Sequence, residues 1–393
     1  MQIYQTAGRA QNPVSKLAVL TACFMFSLFL GQTAVAHAEG NFAGSAVPEP
    51  YQLANGLSGK VTIAGSDTMR PLVMRLAAEF SRLHPDVRFT VEGGGSSAAI
   101  REFVMGLSQQ RRSDKARSGH SGAGRVSLVA SSRPLSSSEI KAFASQHGHE
   151  PVGFPIAVDA VVLYVNPENP IQGLTLDQVA AIFGEEGTKQ GKKILTWGQL
   201  GLKGEWEKRE IRLYGRDKKS GTREFFIQRV LHGNSPDKEI LEQLGYATEL
   251  LAIARDPNAI GYAGAGFQTN LVRLVGLAER SSEPFVTPTT EMVKQGIYPL
   301  TRYLYLYVDK EPKDGLDPIV KEFVAFVNSA SGQAIVTKAG SYQLPGEQLA
   351  RNAAILRGES AAALGDTQDD PRLSAMNSND TSEAVDEGPP QEE

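Results

Sequence analysis

Three short clusters of glycine and hydroxyl residues carry the chemistry this chain offers: Gly65-Ser66-Asp67-Thr68, Gly93-Gly94-Gly95-Ser96-Ser97 and Ser220-Gly221-Thr222, the last preceded by Arg216. Each stands where a strand-like run gives way to an amphipathic helical pattern. Such a junction exposes unpaired backbone N–H groups and the positive end of the helix dipole, a place where an oxyanion is well received. Three of them in one chain point to a single anion held from several sides. The ordinary reading of Ser220-Gly221-Thr222, a helix cap without a ligand, weakens once Arg216 and the other two clusters stand beside it.

The elements that must position these residues follow from apolar spacing. Strand-like runs fall at 60–64, 88–91, 125–130, 155–165, 211–214, 260–263 and 300–308. A first helix is expected from Met69 to Leu83, with Leu72, Val73, Leu76, Ala77, Phe80 and Leu83 on one face and Pro85 as its stop. A second runs from Ser97 to Leu107 over Ile100, Phe103, Val104 and Leu107. A third runs from Thr222 to Leu231 over Phe226, Ile227, Val230 and Leu231, with Gly233 ending it. Strands alternating with helices define an α/β architecture with largely parallel sheets, and ligands of such sheets bind at the carboxyl ends of strands, where all three clusters lie.

Residues 1–38 are of another kind. Arg9 and Lys16 are the only charges there, and an apolar run from Leu17 to Leu30 leads to Ala36-His37-Ala38, so the segment reads as a secretory signal peptide cut after Ala38. A rival reading takes Leu20-Thr21-Ala22-Cys23 as a lipoprotein box with the lipid on Cys23. Cys23 is the chain's one cysteine, so disulfides play no part in the mature protein. Residues 106–124, with Arg111, Arg112, Lys115 and Arg117, read as a long exposed basic loop, and 358–393 as a disordered acidic tail. The formal net charge is −4, but ten Asp or Glu against one Arg lie from Glu359 onward. The stretch between signal and tail is therefore mildly basic, which suits an anion yet lacks the dense Lys/Arg clusters of a nucleic-acid binder.

With the motifs in order, Ala64-Gly65-Ser66-Asp67-Thr68, Gly94-Gly95-Ser96-Ser97, Ala130-Ser131-Ser132-Arg133-Pro134-Leu135, Leu174-Thr175-Leu176, Arg216 through Thr222 and Ile260-Gly261-Tyr262, the chain resembles the periplasmic phosphate-binding proteins of phosphate ABC transporters. The resemblance implies a two-lobed type II periplasmic-binding-protein fold with two hinge-strand crossovers, near 155–158 and from Thr269 onward, and a ligand cleft between lobes. Lobe one would be 59–155 plus 265–350 and lobe two 156–264. It also implies binding of inorganic phosphate in the periplasm, delivery to a membrane permease or sensing partner, a monomer, and no enzyme activity, cofactor or metal. Carried over residue by residue, Thr68, Ser96, Ser132, Arg216, Ser220, Gly221 and Thr222 become the ligand set.

One departure bears on selectivity. Where well-studied members place an aspartate that accepts the proton of hydrogen phosphate, this chain has Ser132, followed by Arg133, so discrimination against fully ionised oxyanions is weakened at this position, and the alternative reading gives the same fold another oxyanion, sulfate or molybdate, as its ligand unless a carboxylate elsewhere supplies the acceptor. Asp67 and Asp217 are the candidates for that acceptor. Arg133 reads equally as a second anion contact or a surface salt bridge. His147 and His149 are close in sequence, but no Cys, Asp or Glu at ligand spacing accompanies them. A phosphate-ester hydrolase would need a base or metal beside Ser96 or Ser220, which the motifs do not supply. A surface or adhesion factor would put the basic loop and acidic tail to use instead.

Overall fold

In the computed structural model the described residues are 48–106, 125–187, 192–310 and 315–359, all within one compact unit, Phe42–Glu393. The signal segment, the basic loop beyond Gly106, Leu107 and the acidic tail beyond Glu359 lie outside them. Strand β1 (Gly59–Gly65) leads to helix α1 (Arg70–Leu83), β2 (Val87–Glu92), α2 (Ser96–Val104), β3 (Arg125–Ser131) and α3 (Ser137–His147). Then come β4 (Val152–Val165), β5 (Gly173–Thr175), α4 (Leu176–Phe183), β6 (Arg212–Arg216), α5 (Gly221–Leu231), β7 (Leu241–Gln243), α6 (Tyr246–Arg255), β8 (Ala259–Gly264) and β9 (Arg273–Ala278). The chain continues through α7 (Thr290–Lys294), β10 (Thr301–Val308), α8 (Pro318–Asn328), α9 (Ala330–Lys338) and α10 (Gly346–Leu356).

The strand order β2-β1-β3-β10-β4-β8-β6-β7 joins two parallel groups through antiparallel neighbours. On one side β1 pairs in parallel with β2 and β3; on the other β6 pairs in parallel with β7 and β8. Strand β4 belongs to both, with residues 152–160 paired antiparallel to β10, and 161–165 paired to β8. Strand β9 pairs with β5 and with 163–165 of β4. This is the expected α/β plan.

Each helix is set by a local signal. Pro71 in the first turn of α1 fits its fixed φ, and of the predicted stripe Leu72, Val73, Leu76, Ala77 and Phe80 are buried and Leu83 half-buried, Phe80 meeting Phe323 edge-on at 5.4 Å. Helices α3 and α4 open on capping boxes, Ser136 with Glu139 and Thr175 with Gln178. Two expectations shift by a turn or less. Helix α2 ends at Val104, with Gly106 at φ 66°, short of Leu107. Helix α5 begins one residue early, and its buried face includes Phe225 while Ile227 is half-buried. Phe225 lies under the Arg302 guanidinium, and Phe226 stacks on Tyr262 at 4.0 Å.

Candidate functional site

The three clusters meet. Gly95 caps α2 at φ 90°, a conformation that suits glycine, and a β-carbon there would stand 2.2 Å from the Lys219 carbonyl oxygen. Gly221 is just as constrained: a β-carbon would fall 2.5 Å from Ser96 Oγ and 2.8 Å from Ser132 Oγ. Both glycines thus permit close approach between α2 and the Ser220 loop, segments more than 120 positions apart. The Ser97 amide donates to the Lys219 carbonyl at 3.2 Å, so part of the α2 terminus is satisfied by the Ser220 loop.

Ser96 and Ser132 are fully buried and hydrogen-bonded to each other, Oγ to Oγ, at 3.2 Å; the Ser132 amide also donates to Ser96 Oγ at 3.1 Å. Ser220 does cap α5, its hydroxyl accepting from the Arg223 amide at 3.4 Å. That bond uses a lone pair and leaves the O–H free to donate, so cap and anion contact are compatible. Thr222 Oγ1 is the hub of the site. It lies 3.0 Å from Thr68 Oγ1 and 2.8 Å from the Tyr246 hydroxyl, and accepts from Arg302 Nη2 at 3.0 Å. Thr68 and Tyr246 are hydrogen-bonded as well.

Arg216, at the carboxyl end of β6, is 1% exposed. Its Nε donates to the Gln243 carbonyl at 3.3 Å and its Nη2 to the Leu244 carbonyl at 3.1 Å, while its Cζ lies over the Tyr246 ring at 4.2 Å. Its one carboxylate contact is Asp67 Oδ2 at 3.4 Å, and Nη1 has no partner among the described residues. Glu249, one turn along α6 from Tyr246, is fully buried, and its Oε1 accepts from the Tyr262 amide at 3.1 Å. Burial pushes its carboxyl up to about 8, against the opposing pull of the Arg216 charge and the Tyr262 amide.

Sequence reasoning missed Asp159, Arg302, Tyr246 and Glu249. Asp159 and Arg302 are register partners on β4 and β10, and Arg302 places Nε and Nη2 on Asp159 Oδ2 at 3.0 and 2.8 Å. The readable signal was a lone charge inside each of two otherwise apolar strand runs, since a charge is kept there only when paired. Of the two suggested acceptors, Asp67 reaches the site, its Oδ1 taking the Gly94 amide at 3.1 Å; Asp217 instead accepts from the Lys219 amide within its own turn. Arg133 is not a surface bridge: it is buried and pairs with Glu139 through both Nη atoms at 2.7 and 2.8 Å. Its charge depresses the Glu139 carboxyl even though burial opposes that. His147 and His149 both face Asp309, and no group of three or more potential metal ligands occurs among the described residues.

The architecture and the converging hydroxyls define a periplasmic-binding-protein domain, and the PBP superfamily domain matches residues 50–331. The chain is 37% identical over 303 residues to the phosphate-binding protein PstS of Pseudomonas aeruginosa, covering 76% of this chain and 87% of that one. It is 28% identical over 341 residues to PstS of Bacillus subtilis, covering 86% and 96%. Among solved structures, a phosphate ABC transporter substrate-binding protein with bound phosphate from Clostridium perfringens aligns with a TM-score of 0.57 at 25% identity, over 72% of this chain and 99% of that one. A phosphate transport receptor from Vibrio cholerae shares the fold, with a TM-score of 0.54 at 23% identity over 72% and 100%. The chain belongs to the PstS family of phosphate-binding proteins.

Proposed function

We propose that this protein captures inorganic phosphate reversibly in the periplasm, after removal of its signal segment, and hands it to the permease of an ABC transporter. Thr68, Ser96, Ser132, Arg216, Ser220, Gly221 and Thr222 are the ligand set. The observation that carries the reading is convergence: hydroxyls from positions 68, 96, 132 and 222 lie in hydrogen-bonded groups next to a buried guanidinium with an unpaired Nη1. A desolvated oxyanion needs many donors, because each unmet polar group costs about 2–7 kcal/mol, and a guanidinium adds a charge-assisted pair.

In this reading the lobes are 59–155 with 265–350, and 156–264. The pairing of β9 with β5 and the outer part of β4 supports drawing 273–278 into the second lobe. Hydrolysis finds no support, since neither Ser96 nor Ser220 is hydrogen-bonded to a histidine or carboxylate among the described residues. Calorimetric titration of the purified mature protein with phosphate and then sulfate tests the reading. Saturable phosphate binding near micromolar ligand is expected, and its absence overturns the proposal. Equal affinity for sulfate shows that Ser132 has removed the discrimination and turns the assignment to oxyanions in general.

A further inference from the structure

We propose that Tyr246 is a further oxyanion-binding residue of this site, its hydroxyl donating to the anion beside Thr68 and Thr222 while its ring fixes the guanidinium of Arg216. The assignment rests on the phosphate reading and adds to it a residue that belongs to none of the sequence motifs.

The ring is held from both faces. Arg216 lies over it at 4.2 Å, and Phe267, in the short turn after β8, stacks on it at 4.1 Å and 15°. With the residue 4% exposed, the hydroxyl is the one polar atom left to place. A tyrosine retained for packing needs one hydrogen-bond partner for that hydroxyl. This one reaches two, Thr68 Oγ1 and Thr222 Oγ1, from segments 178 and 24 positions away. Thr68 and Thr222 are also 3.0 Å from each other, so three hydroxyl oxygens form a closed triangle.

Proton counting gives the triangle a direction. Arg302 Nη2 donates into Thr222 Oγ1 and occupies one of its lone pairs, so the Thr222 proton must point away from Arg302. Three O–H groups that satisfy one another only in a ring can each rotate to point at one oxygen resting on the triangle, a motion that breaks no bond to the rest of the protein. Arg216, carried on the same ring, supplies the charge beside it. Tyr246 therefore joins the neutral donors to the cation of the site.

Phosphate titration of the wild type, Tyr246→Phe and Tyr246→Leu, followed by calorimetry and by tyrosine difference absorbance, tests the assignment. Tyr246→Phe keeps the ring and its stacking, so the ligand-free melting temperature should fall by only a few degrees, about the loss of one or two neutral hydrogen bonds. Phosphate affinity should fall about tenfold, the scale of one lost hydrogen bond to a charged group, and the phosphate-induced absorbance change of the wild type should disappear. Tyr246→Leu should weaken binding further by freeing Arg216. Phosphate affinity in Tyr246→Phe equal to or above that of the wild type overturns the assignment while leaving the phosphate reading intact. Absence of phosphate uptake by the wild type overturns both.

Discussion

Arg302 delivers two hydrogen bonds to one oxygen of Asp159, at 3.0 and 2.8 Å, whereas Arg216 meets Asp67 only at 3.4 Å and otherwise leans on two carbonyls and a tyrosine ring. Both arginines are 1% exposed, so both charges have lost their water. The difference lies in compensation. At Arg302 an equally buried carboxylate cancels the charge within the fold. At Arg216 the buried acid nearby, Glu249, has its carboxyl pushed up to about 8 and is mostly neutral at physiological pH. A charge neutralised by the fold supports structure; one left short of its counter-charge waits for a ligand to complete it.

Breaking the compensated pair should have the largest effect. Arg302→Met leaves Asp159 buried and unpaired and is expected to destabilise the protein by about 3–5 kcal/mol in urea unfolding, with Asp159→Asn milder. At the other arginine the loss moves from stability to binding. Arg216→Ala is expected to cost about 3 kcal/mol of phosphate affinity, roughly a hundredfold, by calorimetry, with a smaller change in the urea midpoint than Arg302→Met. If both substitutions unfold the protein to the same degree, the contrast fails.

Glu249 sharpens the comparison through pH. Its folded-state value of about 8 exceeds the ordinary 4.5, so the folded protein holds a proton the unfolded chain releases. The stability from this group is full below about pH 4.5 and is lost as pH rises through 8. Wild type should therefore lose on the order of 4 kcal/mol relative to Glu249→Gln between pH 5 and pH 8.5, read from paired urea titrations. A constant difference across that range would show that Glu249 is ionised throughout. The smallest effect belongs to Asp67→Asn, which keeps the oxygen that accepts the Gly94 amide and should change phosphate affinity by less than about threefold. A larger gain would mean Asp67 does compensate Arg216.

The parts of this site that were legible in the sequence are those that chain geometry writes locally. A strand-to-helix junction favours glycine and hydroxyl residues, so Thr68, Ser96, Ser220, Gly221 and Thr222 stood out as candidates although the residue capping α1 is Met69, and Arg216 stands four residues ahead of Ser220. Seven strand runs stood out by apolar content; the six-residue β9 was not among them, and β5 and β7 are three residues each and too short for any periodicity to show. Arg302 and Asp159 lie 143 positions apart and are joined by strand register alone. Tyr246 opens a helix with no side-chain cap and sits in no motif, so only tertiary packing reveals its neighbours. The face of α5 was misjudged because that helix is buried on two sides, under Arg302 and against Tyr262, and a single stripe does not describe it.

Strand β4 changes partners midway, from β10 through Ala160 to β8 from Val161, and Asp159 sits beside that changeover. Points near an axle travel least when a wheel turns. Any swing of one half of the molecule about this strand therefore moves Asp159, Arg302 and the threonine they steady through small arcs, while the outer rims sweep large ones. Such an arrangement could open wide to admit or release cargo and return its innermost contacts to register without having to rebuild them.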